Sequence, residues 1–478
     1  MLSVSAATRD SASKLAVIAG EQMLTFAQLS VQVQQLAEKI NKLVSSRRQP
    51  VAFVAKPSLD SLLLFYALLE LGQSALPLNP RLLTSDHRAM IEQAGATELS
   101  LVEGQLGVTG KASFTIEGNE LQSSAVLVAT SGSTGRAKIA NLSKKALVAA
   151  AEASADRLGW MDDDRWLLSL SLCHIGGLSI ATRCLLARHP VVLGEPRGDA
   201  AELTRLIDRH DITLVSLVST QLHRLLAGDF DLHRTKLRIL LVGGMHADPW
   251  LIAAARTRGI PVLATYGMTE TASQIATQLP SDLRSLIGPC HDVGPALSQL
   301  ELKIINDEIV VRGPMLFDGY VGEIAEVDSM RGPNTTGLPL RHGRFHTGDW
   351  GRLDGSGRLT VVGRASDRIV TGGENVAPAE VELVLETIPA IERACVFGVP
   401  EAVKGEQVAA AIILREGFVL DLVEFERQVS ERLASFKRPR ALAIMTEFAV
   451  TATGKLDRAS TARNAMPQLQ IMEHRRST

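Results

Sequence analysis

Short apolar runs recur at helix-length intervals through more than half of the chain, and this alternation constrains the fold more than any other feature. Val51–Ala55, Ala75–Leu78, Ala125–Val128, Trp166–Leu170, Leu214–Val218, Ile239–Val242 and Pro261–Thr265 are short and almost wholly apolar. They read as strands covered on both faces. Several of the intervals carry helical signals. Thr25 stands as an N-cap before Leu29, Val33, Leu36, Ile40 and Leu43, which keep helical spacing. Ser58–Leu71 closes on Gly72, Ser85–Ala94 closes on Gly95, and a longer helix runs from Ser143 or Lys144 to about Leu158. Leu15–Ala19, followed by Gly20-Glu21, reads as one arm of a short hairpin. Strands and helices alternating in this way build an α/β domain around a mostly parallel sheet with helices on both sides.

The ends of these runs are chemically unlike their bodies. Trp166–Leu170 leads into Ser171-Leu172-Cys173-His174-Ile175-Gly176-Gly177, and Leu214–Val218 into Ser219-Thr220. Ile239–Val242 leads into Gly243-Gly244, and Pro261–Thr265 into Tyr266-Gly267-Met268-Thr269-Glu270. Small and polar residues at the carboxyl edge of a parallel sheet predict one ligand crevice there. The most concentrated of these ends is Thr130-Ser131-Gly132-Ser133-Thr134-Gly135-Arg136-Ala137-Lys138. Hydroxyls, glycines and two cations suit a polyphosphate: glycine lets backbone N–H groups crowd an anion, and the cations offset its charge. A flexible surface turn is the plain alternative. The stretch lacks the Gly-Lys-Ser/Thr order of a P-loop, and no Gly-x-Gly-x-x-Gly follows the strand, so neither of those nucleotide sites is expected.

At 478 residues the chain is too long for one core, and two or more domains are expected. A hydrophobic share of 46% with 21% charged residues excludes general disorder. The net charge of −2 and the lack of a long basic run imply neither nucleic acid nor a membrane surface as partner. Cys173, Cys184, Cys290 and Cys395 show no paired spacing, which argues against structural zinc and suits a reducing compartment. No signal peptide or bilayer-length apolar run is present, so a cytoplasmic location is expected. From about Asp292 the pattern changes: Glu301–Ile305, Glu308–Arg312 and Gly357–Val362 read as antiparallel strands, and Asp318–Pro339 as an exposed loop. A second unit begins near Gly363–Asp367, with a helix from Pro378 to Glu386, strands near Ala394–Val399 and Ala409–Leu414, and a helix over Leu422–Leu433.

A family resemblance rests on six motifs in register. They are Thr130–Gly135, Tyr266–Glu270, His346-Thr347-Gly348-Asp349, Gly363-Arg364 with Asp367, Gly373-Glu374-Asn375 with Pro378, Glu380, Val381 and Glu382, and Gly454-Lys455. The chain resembles the adenylate-forming acyl-CoA synthetases along nearly its whole length. The stretches Trp166–Leu178, Leu217–Leu222, Leu241–Gly244 and Thr265–Ile275 look most like the branch acting on 2-succinylbenzoate in menaquinone biosynthesis. Two departures stand out: Ala137 where the family usually has proline, and Phe448-Ala449-Val450 where a proline usually precedes Gly454-Lys455.

The resemblance implies an α/β fold: a large N-terminal domain with a β-rich subdomain over 1–364, a hinge at 365–366, and a small mobile α+β domain over 367–478. It implies ATP, Mg²⁺ and CoA as co-substrates and cofactor, an acid as the other partner, and leaves room for a homo-oligomer. Thr130, Ser131, Gly132, Ser133, Thr134 and Lys138 would hold the phosphates. Gly243, Gly244, Tyr266, Gly267, Met268 and Thr269 would take the adenosine, with Asp349 and Arg364 on the ribose hydroxyls. Glu270 is the implied Mg²⁺ ligand, or a plain acid at a helix N-terminus. Lys455 would bridge carboxylate and α-phosphate, unless it is an ordinary solvated lysine. Ser366 is the implied pivot, and Gly372, Gly373 and Glu374 would line the CoA channel after rotation. His174 would gate or orient the acyl group, or else sit half-buried on a backbone carbonyl. Gly177, Arg183, Ser219 and Thr220 complete the acyl site, with a surface position for Arg183 as the alternative. Competing readings are a ligase for another aryl or medium-chain acid, a carrier-loading adenylating enzyme, and a nucleotide-binding protein without catalysis.

Overall fold

The computed structural model describes the chain except residues 45, 47–48, 103, 113–123, 131–137, 195–199, 229–234, 245–248, 286–287, 322–339, 342, 365–366, 372–373, 402–404, 451–455 and 473–478. The chain divides into two compact units. The first comprises Met1–Leu302, Val311–His346 and Asp354–Leu359; the second comprises Lys303–Val310, Thr347–Leu353 and Thr360–Thr478.

The expected alternation appears in the first unit as two sheets. One runs Ser273–Thr277, Val262–Met268, Ile239–Val242, Leu214–Leu217, Trp166–Leu168, Val191–Leu193, Leu15–Ala19 and Gln22–Thr25 in spatial order. Its six inner strands are parallel, and the two outermost pair antiparallel with their neighbours. Apart from the half-buried carboxyl end of Val262–Met268, the inner strands are buried along most of their length, which explains why they read as continuous apolar runs. The other sheet runs Gly319–Tyr320, Lys138–Ser143, Ser124–Thr130, Ala75–Leu78, Val51–Val54, Thr97–Val102 and Gln105–Lys111.

Helix boundaries follow the capping chemistry. Phe26–Leu43 starts at Thr25, whose hydroxyl accepts from the Gln28 N–H while the Gln28 side chain accepts from the Thr25 N–H. Leu59–Leu71 ends on Gly72 and Thr84–Ala94 on Gly95, both in the left-handed conformation. Leu59–Leu71 and Ile175–Ala187 are buried nearly all round, and the Tyr66 hydroxyl donates to the Ala181 carbonyl at 3.0 Å to join them.

The helix expected from Ser143 or Lys144 is Lys144–Leu158, with Ser143 as its N-cap. Before it Lys138–Ser143 is a strand, antiparallel to Ser124–Thr130, with Thr130 opposite Lys138. One expectation needs correction. The segment read as an exposed loop from Asp318 is strand at Gly319–Tyr320, paired with Asn141 and Ala140. Gly319 is buried, and 322–339 lie outside the described residues.

In the second unit Ile369–Thr371 and Glu374–Val376 form a tight hairpin. The helix Pro378–Glu386 opens on the expected proline. Ile391–Glu401 and Gly405–Leu414 pair along their length and are longer than expected. Val381, Leu385, Ile388, Val396, Val408, Ile412, Phe425 and Val429 give the unit a core of its own. Arg458 joins its last helix, Arg458–Ala465, to the rest by pairing with Glu382 and donating to the Val396 carbonyl at 2.8 Å.

Candidate active site

The first unit gathers two sets of expected site residues. Of the residues expected on the phosphate side, Thr130 and Lys138 face each other across paired strands; the Thr130 hydroxyl donates to the Lys138 carbonyl at 3.3 Å. The Lys138 ammonium lies 4.8 Å from the centre of the Tyr320 ring. The Tyr320 hydroxyl donates to Glu270 Oε1 at 2.7 Å, and the Phe317 N–H donates to the Glu270 carbonyl at 2.9 Å. Glu270 follows the Val262–Met268 strand in a single turn, Thr269–Thr271, so strand and turn aim the carboxylate toward the strand that begins at Lys138. Lys138, Glu270 and Tyr320 are all half-buried.

Glycine is required at two of the expected nucleotide positions by contact. A Cβ on Gly267 would come within 1.8 Å of the Ser273 carbonyl oxygen. A Cβ on Gly243 would come within 2.8 Å of the Thr265 carbonyl oxygen. The adjacent strands therefore approach more closely there than any side chain allows. Tyr266, Met268 and Thr269 lie half-buried along the same strand end, and Gly244 is exposed.

The residues expected on the acid side are built on Ile175–Ala187. His174 is its N-cap, extended and half-buried, and its carbonyl accepts from Gly177 and Leu178. Gly177 is buried; a Cβ there would come within 2.3 Å of the Ser171 carbonyl oxygen, so its smallness seats the helix against the loop before it. Arg183 is not on the surface: it is 3% exposed. One terminal nitrogen of its guanidinium donates to the Ser273 hydroxyl at 3.1 Å, and the group lies 5.3 Å from the Trp166 ring centre. Among the described residues no carboxylate pairs with it, and its Nε has no hydrogen-bond partner. Burial pulls its pKa down to about 10. Trp166 is held in turn by its indole N–H donating to the Ser216 hydroxyl at 3.2 Å. Ser273 and Ala272 both have positive φ, 119° and 50°, conformations that side chains rarely adopt. Ser219 and Thr220 are half-buried at the start of the helix Ser219–Ala227.

In the second unit Asp349 is buried, and the Arg364 Nε stands 3.5 Å from its Oδ1. The Gly348 N–H donates to Glu308 at 2.9 Å, and Gly348 has a φ of 73°, so the turn before Asp349 is fixed on both sides. Glu374 is exposed at the start of the strand Glu374–Val376, opposite Thr371. Ser131, Gly132, Ser133, Thr134, Ser366, Gly372, Gly373 and Lys455 lie outside the described residues.

Sequence reasoning missed Tyr320, Trp166 and Ser273 as site residues. Tyr320 was hidden by the Gly-, Pro- and Asn-rich texture that follows it. Among the described residues no cluster of three or more His, Cys, Asp or Glu side chains is placed to hold a metal. The single carboxylate of Glu270, close to the strand that begins at Lys138, fits an ion that takes one protein oxygen and shares the rest of its shell with phosphates and water. No helix among the described residues is long and apolar enough to cross a membrane.

Residues 4–115 and 108–321 match the family model described as AMP-binding enzyme, and 380–455 match the AMP-binding enzyme C-terminal domain. The 2-succinylbenzoate–CoA ligase of Listeria monocytogenes serovar 1/2a is 32% identical over 448 residues, covering 91% of this chain and 93% of that protein. The o-succinylbenzoate CoA synthetase of Bacillus subtilis in complex with the acyl-adenylate intermediate OSB-AMP superposes with a TM-score of 0.80 at 28% identity, over 98% of this chain and 99% of that one. The same enzyme with ATP and magnesium ion gives 0.81 at 29% identity, over 96% and 98%.

Proposed function

The chain belongs to the AMP-binding enzyme family, and on that premise we propose that it joins 2-succinylbenzoate to coenzyme A, using ATP, through an acyl-adenylate. A carboxylate is a weak electrophile. Its oxygen attacks the α-phosphorus of ATP, pyrophosphate leaves, and the resulting mixed anhydride accepts the CoA thiol with release of AMP. The observation that carries the reading to this acid is Arg183. Arg183 is buried with no carboxylate partner among the described residues; a guanidinium so placed is costly, and an acid with a second carboxylate supplies a counter-charge. Simple monocarboxylic acids do not.

The remaining roles follow from residue chemistry. Lys138, with Thr130 and the hydroxyls of Ser131, Ser133 and Thr134, offsets the β- and γ-phosphates. Tyr266 lies against the adenine, and Asp349 accepts from the ribose hydroxyls with Arg364 beside it. Glu270 would hold Mg²⁺, which would supply positive charge beside the phosphates. Lys455 places its ammonium between the acid and the α-phosphate as charge builds there. Ser366 serves as the pivot that exchanges Lys455 for Gly372, Gly373 and Glu374 in the thioester step. His174 orients the acyl group at the mouth of the channel.

Acid-dependent exchange of pyrophosphate into ATP tests this reading, with 2-succinylbenzoate compared against benzoate and medium-chain acids. Exchange driven by 2-succinylbenzoate, followed by its CoA thioester when free CoA is added, is the expected result. A preference for a benzoate lacking the succinyl arm overturns the acid assignment. Nucleotide binding without exchange for any acid overturns the enzyme assignment.

A further inference from the structure

The Gly319–Tyr320 strand is two residues long, yet it is anchored over its whole length. The Asp318 N–H donates to the Asn141 carbonyl at 2.8 Å, and the Val321 N–H to the Ile139 carbonyl at 2.9 Å. This pins it to the strand that begins at Lys138. The Tyr320 ring packs edge-on against buried Phe317 at 5.0 Å between centres, and Phe317 against buried Phe345 at 5.4 Å. Phe317 also supplies the backbone N–H that fixes the Glu270 carbonyl. The ring is therefore rigid, and its two ends face different site residues: its hydroxyl donates to Glu270 Oε1, and its face lies beneath the Lys138 ammonium.

We propose that Tyr320 is a positioning residue with two separable functions, its hydroxyl orienting Glu270 for Mg²⁺ and its ring face holding Lys138 for the phosphates. Charge-assisted hydrogen bonds to a carboxylate are the stronger kind and fix its rotamer. A cation over an aromatic face is held more weakly and stays able to swing onto an anion. One side chain thus sets the spacing between the lysine and the carboxylate that must meet the same triphosphate. The inference rests on the ATP- and Mg²⁺-dependent reading above.

The test is calorimetric titration of ATP into the full-length protein without acid, once with Mg²⁺ and once with EDTA. Wild type, Tyr320→Phe, Tyr320→Leu, Lys138→Met and the Tyr320→Leu/Lys138→Met double variant are compared. Tyr320→Phe is expected to weaken binding with Mg²⁺ roughly tenfold and to leave binding in EDTA unchanged. Tyr320→Leu is expected to lose about two- to fivefold in EDTA as well, a loss absent when Lys138 is already methionine. The proposal is overturned if Tyr320→Phe keeps the wild-type ratio of the two affinities, or if the EDTA loss persists in the Lys138→Met background. Should Tyr320→Leu fail to fold, Tyr320→Phe still decides the Glu270 half, and Lys138→Met with and without Tyr320→Phe decides whether the hydroxyl acts independently of the lysine. Wild-type protein that binds no ATP under either condition fails the underlying reading instead.

Discussion

The two regions of the first unit proposed to take the acid and the phosphates hold positive charge in opposite ways. Arg183 is sealed among Trp166, Ser273 and the helix Ile175–Ala187, with no carboxylate partner among the described residues. Lys138 is half-exposed, rests on an aromatic face, and has Glu270 close by through Tyr320. A sealed cation is costly until its anion arrives, so it discriminates between acids that bring a second charge and acids that do not. A half-exposed cation costs little in the empty site, discriminates weakly, and can follow a phosphate as it leaves. On the proposed function, selectivity and turnover fall to cations in different dielectric surroundings.

Removing the group proposed to act on both substrates at once gives the largest effect. Lys455→Ala is expected to slow pyrophosphate exchange by roughly 10²–10³-fold or more, while thioester formation from preformed acyl-adenylate continues; equal loss in both steps breaks the division of labour. Arg183→Met is next. The KM for 2-succinylbenzoate should rise at least about thirtyfold with the KM for ATP unchanged, and the melting temperature should hold or increase, since an uncompensated buried charge is gone. A fall in stability with unchanged KM would make Arg183 a packing residue. The pH dependence sharpens the same point. With its pKa drawn down to about 10, the Arg183 guanidinium remains protonated through neutral and mildly alkaline solution. The acid's KM is therefore expected to be flat from about pH 6 to about pH 9, and to rise above it as the proton is lost. A rise near neutrality would point to His174 as the group the acid meets. The smallest effect is a control far from either side: Thr25→Ala removes an N-cap bond and should cost about 1 kcal/mol in denaturant melts with both KM values unchanged.

The alternation of strands and helices was legible because each buried strand is apolar over its own few residues, a local signal. So were Gly72 and Gly95, whose left-handed conformations end helices by a local mechanism. Motif positions such as Lys138, Tyr266, Glu270 and Asp349 were legible through resemblance, and the structure brings Lys138 near Glu270 and Asp349 near Arg364. What stayed hidden was non-local. Tyr320 gains its strand by pairing with Ala140, a partner far away in sequence, and its neighbourhood has loop composition. The burial of Arg183 could not be read from periodicity, because its helix is enclosed on all faces and has no polar stripe to orient it. The strand Lys138–Ser143 mixes polar and apolar residues without regular alternation and gives no strand signal of its own.

The contact between Gly267 and Ser273 has a wider consequence. The strand that carries Tyr266 touches the very residue whose hydroxyl meets Arg183, with no room for even a methyl group between them. Lineages that drift toward a new acid cannot alter that seam without also shifting the strand end on which Tyr266 sits. Divergence in acid preference is therefore expected to accumulate on the facing wall, along Ile175–Ala187, while the seam itself stays frozen.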